Sequence, residues 1–515
     1  MFLNQDIKIL AELLEEGINP DGSWAIYGTG DGASLIYMIL NKLSLSGSIK
    51  MIIEKDENVR PDQIFQGTPV RKLTEACGQL DGIIIGAIDN HEIIYQRILK
   101  NLTKEQLGRI RLVNIFKDIR ERDWLRYLEH IERSILKKSD NFIGFDKERH
   151  HFSEKDTKVI AWYLPQFHQL EINNQYHGQG FTEWTNTSKM IPLFTGHYQP
   201  HIPFDVGYYD LLNPETLRRQ VYLAKHYGIY GFCIHYYWFS GKRFMEKPLE
   251  LFLKHKELDM PFCLDWATEN WTALWDGENR EIMIEQKLGD HDDEKFMEDI
   301  LPYMKDSRYI KIDGRPVLVI YRVNIFEKER ARLLFHNFRE IARENGFPDL
   351  YIMLTTARGF QDNVKDWGAD ALVEYHPSNM TFDMAGRYKP LGYVNPYFNG
   401  ETFDMEAAIE ERRYLLPHEE QTYYRSVLTS WDNTARKALS KGIIFRGLNP
   451  GTFKKWLADI VAESKEVHSG SEDFVFVNSW NEWAEGSHLE PDLKYGYAYL
   501  QAVKEVLEEQ RDPGK

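Results

Sequence analysis

The stretch Phe474-Val475-Phe476-Val477-Asn478-Ser479-Trp480-Asn481-Glu482-Trp483-Ala484-Glu485-Gly486 decides how the larger part of the chain is read. Its first half, 474–480, has the length and the β-branched and aromatic content of a buried strand. The run then ends in two carboxylates three residues apart, set among tryptophan and asparagine. A strand built only for stability needs no acids at one end. The same break recurs upstream. Candidate strands at 159–164, 230–236, 262–266, 317–321, 350–354, 371–375 and 426–430 each run into polar and aromatic residues. These ends carry Gln166 and His168; His235, Tyr236 and Trp238; Asp265, Trp266, Glu269 and Asn270; Tyr321 and Arg322; Glu374 and His376; Trp431 and Asp432. Helical patterns fall between them at 215–227, 247–255, 293–304, 327–344, 361–367, 405–415 and 452–464, with a last one at 495–509.

Eight strand–helix units are the count of a TIM barrel, which keeps its active groups at the C-terminal ends of its strands. A doubly wound open sheet shares the alternation. Polar groups after nearly every strand, always at the same end, favour the barrel. The long first loop, about 165–214, reads as functional on length alone.

The beginning of the chain has its own pattern. Trp24–Tyr27 reads as a short buried strand, followed by Gly28-Thr29-Gly30-Asp31-Gly32-Ala33 and a helical run, 34–42. Further strands are expected at 49–54 and 82–86. This is the order of a parallel, Rossmann-like sheet. Gly28, Gly30 and Ala33 fit GxGxxA, a turn that lets backbone N–H groups approach a phosphate, and Glu54 stands where an acid often binds a ribose. The same turn also serves plain chain geometry, so nucleotide binding and a structural or docking role both stand. An amphipathic helix is expected at 123–138. The expected organisation is therefore α/β: a Rossmann-like domain at 1–140, a polar linker at 141–157, and a (β/α)8 TIM barrel at 158–515.

Composition narrows the function classes. The 515 residues carry a net charge of −16, which argues against nucleic acid or anionic lipid as partners. Three cysteines without a CxxC pair argue against a disulfide framework or zinc site and fit a reducing compartment. No signal peptide or apolar run of membrane-spanning length stands out, so a cytoplasmic location is expected. His177, His197 and His201 show no tight ligand spacing, and no metal is expected. Aromatics are abundant at 13%, and flat rings with polar edges suit sugar faces.

The carboxylate pair Glu482 and Glu485 is the strongest chemical signal. Glycoside chemistry needs one carboxyl to protonate the leaving oxygen and another as base or nucleophile. Substrate contacts are expected from Tyr163, Gln166, His168, Glu183 and Trp184 in and near the first loop. Others are expected from His235, Tyr236, Trp238, Asp265, Trp266, Glu269, Asn270, Trp271, Tyr321, Trp431, Asn481 and Trp483.

From about residue 158 to 508 the chain resembles the WbsX-type proteins of bacterial surface-polysaccharide gene clusters. The matching pieces are Trp162-Tyr163-Leu164-Pro165-Gln166-Phe167-His168, Gly180-Phe181-Thr182-Glu183-Trp184, Asp265-Trp266-Ala267-Thr268-Glu269-Asn270-Trp271 and Asn481-Glu482-Trp483-Ala484-Glu485-Gly486. The same segments are similar to the endo-α-mannosidase family of glycoside hydrolases, which are TIM barrels. That resemblance implies roles for both acids. Glu482 would act as base on the sugar's own 2-hydroxyl, which attacks the anomeric carbon. Glu485 would be the acid on the leaving oxygen and later the base that activates water. Ala484 stands where the mannosidases carry histidine. The implied partner is an oligo- or polysaccharide of O-antigen or capsule metabolism. A nucleotide or nucleotide sugar at the N-terminal domain, or docking there to other polysaccharide-assembly enzymes, would fit a transferase. A non-catalytic glycan-binding barrel is the rival of another class.

Overall fold

The computed structural model describes residues 4–511 apart from 89, 118–137, 195, 273–281, 290, 379, 381–385, 388–397, 417–420, 438–440 and 469. The helix expected at 123–138 lies outside the described residues but for its last position. The chain divides into two compact units. One comprises 1–131 with 193–197 and 389–396, and the other comprises 132–192, 198–388 and 397–515.

The first unit holds a six-stranded sheet. Trp24–Tyr27 lies at its centre, parallel to Ile49–Glu54 on one side and Gly82–Ile85 on the other. Thr68–Lys72 extends the first side and Arg111–Val113 the second, both in parallel. Counted along the chain, the five parallel strands run 3-2-1-4-5, the opening order of a dinucleotide-binding sheet. Period-two alternation feeds two cores. Trp24, Ile26, Ile52 and Ile84 meet Ile36, Ile39 and Leu40 on one face. Ala25, Tyr27, Ile53, Ile83 and Ile85 meet Ile94 and Ile98 on the other.

The second unit is a nearly closed parallel barrel. Nine strands follow one another by hydrogen bonding, and all the pairs along that path are parallel. In chain order they are Lys158–Tyr163, Ile229–Phe239, Phe262–Trp266, Arg315–Ile320, Tyr351–Thr355, Ala371–Val373, Tyr423–Tyr424, Ser426–Leu428 and Phe474–Asn478. Each neighbours the next around the ring, and the last pairs with the first. Tyr423–Tyr424 and Ser426–Leu428 are one segment broken at Arg425, so the ring has eight positions. At Arg425 the pairing changes from Ala371–Val373 to Phe474–Asn478. Arg425 is 5% exposed, and its guanidinium meets Glu374 at 2.7 Å and Glu463 at 2.8 Å.

The strands read as continuous apolar runs because both faces are covered. Ile160, Val319, Ile352 and Phe476 are all buried. Helices Pro214–His226 and Pro450–Val467 begin alike: an asparagine caps the first turn and proline follows. Residues 141–157, expected as a linker, are held to this unit. Ile143 bridges Gly496, Asp146 pairs with Lys504 at 2.7 Å, and Arg511 pairs with Asp156 at 2.5 Å. Two expected helices are shorter than their patterns. The one at 361–367 is a single 3-10 turn, Val364–Trp367, and the one at 405–415 is Glu406–Glu410. None of the described helices is long and apolar enough to cross a membrane.

Candidate active site

A cleft of about 550 Å³ opens among the C-terminal ends of the barrel strands. Glu482 and Glu485 both line it. Local chemistry puts them there. The eighth ring strand ends at Asn478, and Ser479 folds the chain back. Its Oγ accepts from the Glu482 N–H at 2.9 Å and donates to the Ser487 carbonyl at 2.7 Å. Asn481-Glu482 then pairs antiparallel with Ser487-His488. Between them Trp483–Glu485 makes one 3-10 turn. Glu482 stands at the head of the turn and Glu485 at its end, and both reach the cleft. Gly486 closes the turn at φ +64°, and a Cβ there would sit 3.2 Å from the Asp432 backbone.

One guanidinium spans the pair. Arg436 Nη2 lies 2.6 Å from Glu482 Oε2, and Nη1 lies 2.8 Å from Glu485 Oε1. The same Nη2 lies 3.4 Å from Glu183 Oε1. Arg436 ends a 3-10 turn, Asn433–Arg436, that Asp432 caps through the Thr434 N–H at 3.0 Å. Burial pushes the Glu485 carboxyl up, Arg436 opposes it, and the charge of Glu482 adds to the push. Glu183 is wholly buried, takes a hydrogen bond from Gln166 Nε2, and is driven up to about 8, chiefly by burial.

The cleft wall is aromatic and charged. Tyr237, Phe239, Trp271, Tyr321, Tyr375 and Trp431 line it. His235 faces it with Nδ1 3.0 Å from the buried Asp265. Burial alone would lower the His235 pKa, but Asp265 overrides it and the net direction is up. Glu269 holds two arginines, Arg322 at 2.9 Å and Arg358 at 3.0 Å.

Of the residues singled out in the sequence, Gln166, His235, Glu269, Asn270, Trp271, Tyr321, Trp431, Glu482 and Glu485 come together on this cleft. Others stand behind it. Glu183 backs Arg436, and Asp265 backs His235. The rest lie outside the cleft and hold the scaffold. Tyr163 donates to Gln220 at 2.8 Å. His168 is buried, which lowers its pKa. Trp184 packs on Phe167 and Tyr209 and donates to the Tyr209 carbonyl. Tyr236 packs among Phe296 and Tyr303. Trp238 donates to Asp299 at 2.8 Å, and Trp266 stacks on Phe296. Asn481 clamps both backbone polar groups of Leu164, at 2.8 and 3.0 Å. Trp483 donates to Glu490 at 2.7 Å. That buried carboxylate also accepts from Gln220, Trp480 and Tyr209, and burial lifts it to about 7.

Strand phase sorts the residues of the second ring strand. Strand side chains alternate, so His235, Tyr237 and Phe239 face in while Tyr236 and Trp238 face out. Counting by two from His235 would have found Tyr237 and Phe239. Tyr375 follows Ala371 and Val373 by the same count of two, whereas Arg436, Lys437 and Arg358 come from turns whose residues carry no periodic mark.

Among the described residues, His201, His488 and Asp492 bring possible metal-ligand atoms within 4.8 Å of one another. A hydrogen-bonded chain accounts for the two imidazoles. His488 Nδ1 faces the Glu490 carbonyl at 2.9 Å, and its Nε2 meets His201 Nδ1 at 2.8 Å. Burial holds the His488 pKa near 4, so the ring is neutral and its Nε2 accepts from His201.

In the first unit, Gly28 takes φ +113° at the turn. A Cβ on Gly32 would lie 2.3 Å from the Gly86 carbonyl oxygen, so that glycine lets the helix approach the sheet. Around Gly30 there is open space, and Ala33 is buried beside Gly86. Glu54 accepts from the Thr29 hydroxyl at 3.0 Å.

The family model described as "Glycosyltransferase WbsX" matches residues 159–503. The uncharacterised protein WxcX of Xanthomonas campestris pv. campestris (strain B100) is 36% identical over 350 residues. That match covers 68% of this chain and 49% of WxcX, so the chain spans about half the length of this relative. Among solved structures, an endo-α-mannosidase of glycoside hydrolase family 99 from Bacteroides thetaiotaomicron is similar at 14% identity, covering 69% of this chain and 98% of that one, with a TM-score of 0.42. A "glycoside hydrolase-like protein" is similar at 15% identity, covering 72% and 98%, with a TM-score of 0.43. With the matched segment spanning the whole barrel and its acidic turn, this chain belongs to the WbsX glycosyltransferase family.

Proposed function

We propose that the protein is a carbohydrate-active enzyme that cleaves or transfers a glycosidic bond in bacterial surface-polysaccharide metabolism. The observation that carries this reading is the pair Glu482 and Glu485, aimed by one 3-10 turn into an aromatic cleft and spanned by Arg436. The chemistry follows the mannosidase resemblance. Glu482 removes the proton of the sugar's 2-hydroxyl, whose oxygen attacks the anomeric carbon and expels the leaving oxygen. Glu485 gives that oxygen its proton. In the second half Glu485 takes a proton from the incoming water, whose oxygen bonds to the anomeric carbon and breaks its bond to O2, and Glu482 returns its proton to O2. With a sugar hydroxyl in place of water, the same steps make a transferase. The raised Glu485 pKa supports the acid role, because a general acid must hold its proton at working pH.

The test uses surface-glycan fragments and lipid-linked precursors in heavy-oxygen water, read by mass spectrometry, for wild type and Glu485→Gln. New reducing ends carrying heavy oxygen, absent in the variant, mean hydrolysis. Longer glycans without it mean transfer. No turnover by the wild type with undiminished glycan binding would leave a non-catalytic glycan-binding barrel. The transferase branch draws support from the first unit, where the backbone at Gly30 is open to approach at a helix start. There the reading is a nucleotide or nucleotide sugar, tested by calorimetry of the full chain.

A further inference from the structure

Two cations line the cleft beyond the one that serves the acid pair. Lys437 follows the Arg436 turn and is half-buried in the cleft wall. Among the described residues its ammonium has no hydrogen-bond or ion-pair partner. Burial lowers its pKa, with Glu485 opposing. A desolvated ammonium without a partner is costly to keep in a fold. Arg358 reaches the cleft from the loop after the fifth ring strand. It takes a left-handed backbone, φ +57°, although it is not glycine. Such conformations persist where the surroundings impose them, and they gather at ligand-binding positions. Its Nε is pinned by Glu269 at 3.0 Å, and Glu269 is itself held by Arg322. The guanidinium is thus pre-oriented by an acid whose charge Arg322 already offsets. Lys437 and Arg358 repel one another across the cleft, and both feel Glu485. Two cations kept near each other and near the proton donor form half of an ion pair whose other half is on the substrate.

We infer that the leaving-group side of the cleft takes an anionic substituent, a carboxylate or a phosphate, bound by Lys437 and Arg358. The inference rests on the proposed function, since it is Glu485's role as acid that places the leaving oxygen beside these cations. A carboxylate would come from a uronic acid in the glycan. A phosphate would come from a phosphorylated sugar or from the diphosphate of an activated donor.

The test is calorimetric titration of the full-length protein with three matched oligosaccharide sets: neutral, uronate-bearing and phosphate-bearing. Wild type, Lys437→Gln and Arg358→Gln are compared. Wild type should bind an anionic set at least about ten-fold more tightly than the neutral one. Each variant should lose most of that preference while binding neutral glycans within about two-fold of wild type, because only the charged contact is removed. Loss confined to the uronate set identifies the carboxylate, and loss confined to the phosphate set identifies the phosphate. Equal wild-type affinity for neutral and anionic sets overturns the inference, as does a Lys437→Gln loss that is the same on all three. In both cases neutral glycan is still bound, so the glycan-enzyme reading stands. If the wild type binds none of the sets, that reading falls first and takes the inference with it.

Discussion

Glu183→Gln replaces a buried carboxyl with an amide of the same shape, so its effect on folding isolates one proton. Glu183 is wholly buried, and that burial drives its pKa up to about 8 against Arg436's opposing charge, while Glu482 and Glu485 push it further up. In the unfolded chain the same carboxyl ionises near 4.5. Between these two values the folded protein keeps a proton that the unfolded chain releases. The direction follows from that. The group's contribution to stability is complete below about pH 4.5 and is lost as pH rises through 8. Each pH unit inside the window is worth about 1.4 kcal/mol, so the whole window is worth about 5 kcal/mol at most. Glutamine has no proton to lose. Wild type should therefore weaken relative to Glu183→Gln by about 1 kcal/mol per pH unit from pH 5 to 8. Urea unfolding followed by tryptophan fluorescence, at each pH for both proteins, gives the difference directly. Other buried acids, such as Glu490 at about 7 and Asp492 at about 6, titrate in both proteins and cancel. A difference that stays constant with pH would show Glu183 ionised throughout and paired with Arg436, and would refute the reasoning.

Glu482→Gln and Glu485→Gln should each lower turnover by about 10²–10⁴-fold, read from steady-state rates of protein whose native fold is checked by circular dichroism. Arg436→Met leaves its buried carboxylates without their cation; unfolding experiments should show a loss of about 3–5 kcal/mol. In the same variant the pH optimum of the reaction should move upward, because the charge that opposes Glu485 protonation is gone. In the first unit, Gly32→Ala forces a Cβ against the Gly86 carbonyl and should destabilise that unit by about 1–3 kcal/mol, measured by its unfolding transition. Gly30→Ala meets open space and should fold as wild type; on the proposed nucleotide reading it should weaken the binding that calorimetry reads.

The ring of strands was legible because each barrel strand is apolar on both faces and breaks at one end into polar residues. Runs such as 262–266 and 474–478 have no competing reading. The seventh position was less legible. Glu374 and Glu463, the carboxylates that pair with Arg425 at its interruption, are distant in sequence and meet it only in the fold. The site divides the same way. Glu482 and Glu485 could be read because one short turn places both. The sequence presents Trp238, Trp266 and Trp483 as candidate sugar-facing rings, but their indole N–H groups are spent on Asp299, the Trp238 carbonyl and Glu490, and all three are buried. Composition tells that tryptophan is present, and only strand phase tells which side it faces. Arg436 was not legible at all, because nothing local marks an arginine that will be shared by acids 46 to 253 residues away.

Arg436 and the three glutamates act as one charge system, with a buried acid standing behind the Glu482–Glu485 pair. If Glu183 were ionised, it would draw the guanidinium away from Glu482 and Glu485. Burial keeps it protonated near neutrality, so the single positive charge faces the pair. Burial and the charge of Glu482 both push the Glu485 carboxyl up, and Arg436 opposes them. A carboxyl pushed up beside its partner is what the proposed acid role needs. Glu183 is then a positioning residue, acting through Arg436 on groups it does not touch. Glu183→Gln should accordingly keep turnover near neutral pH within a few-fold. It should also retain activity at higher pH than wild type, where the native Glu183 ionises and begins to compete for Arg436. Parallel pH–rate profiles for the two proteins would show that Glu183 does not share in the charge of the pair.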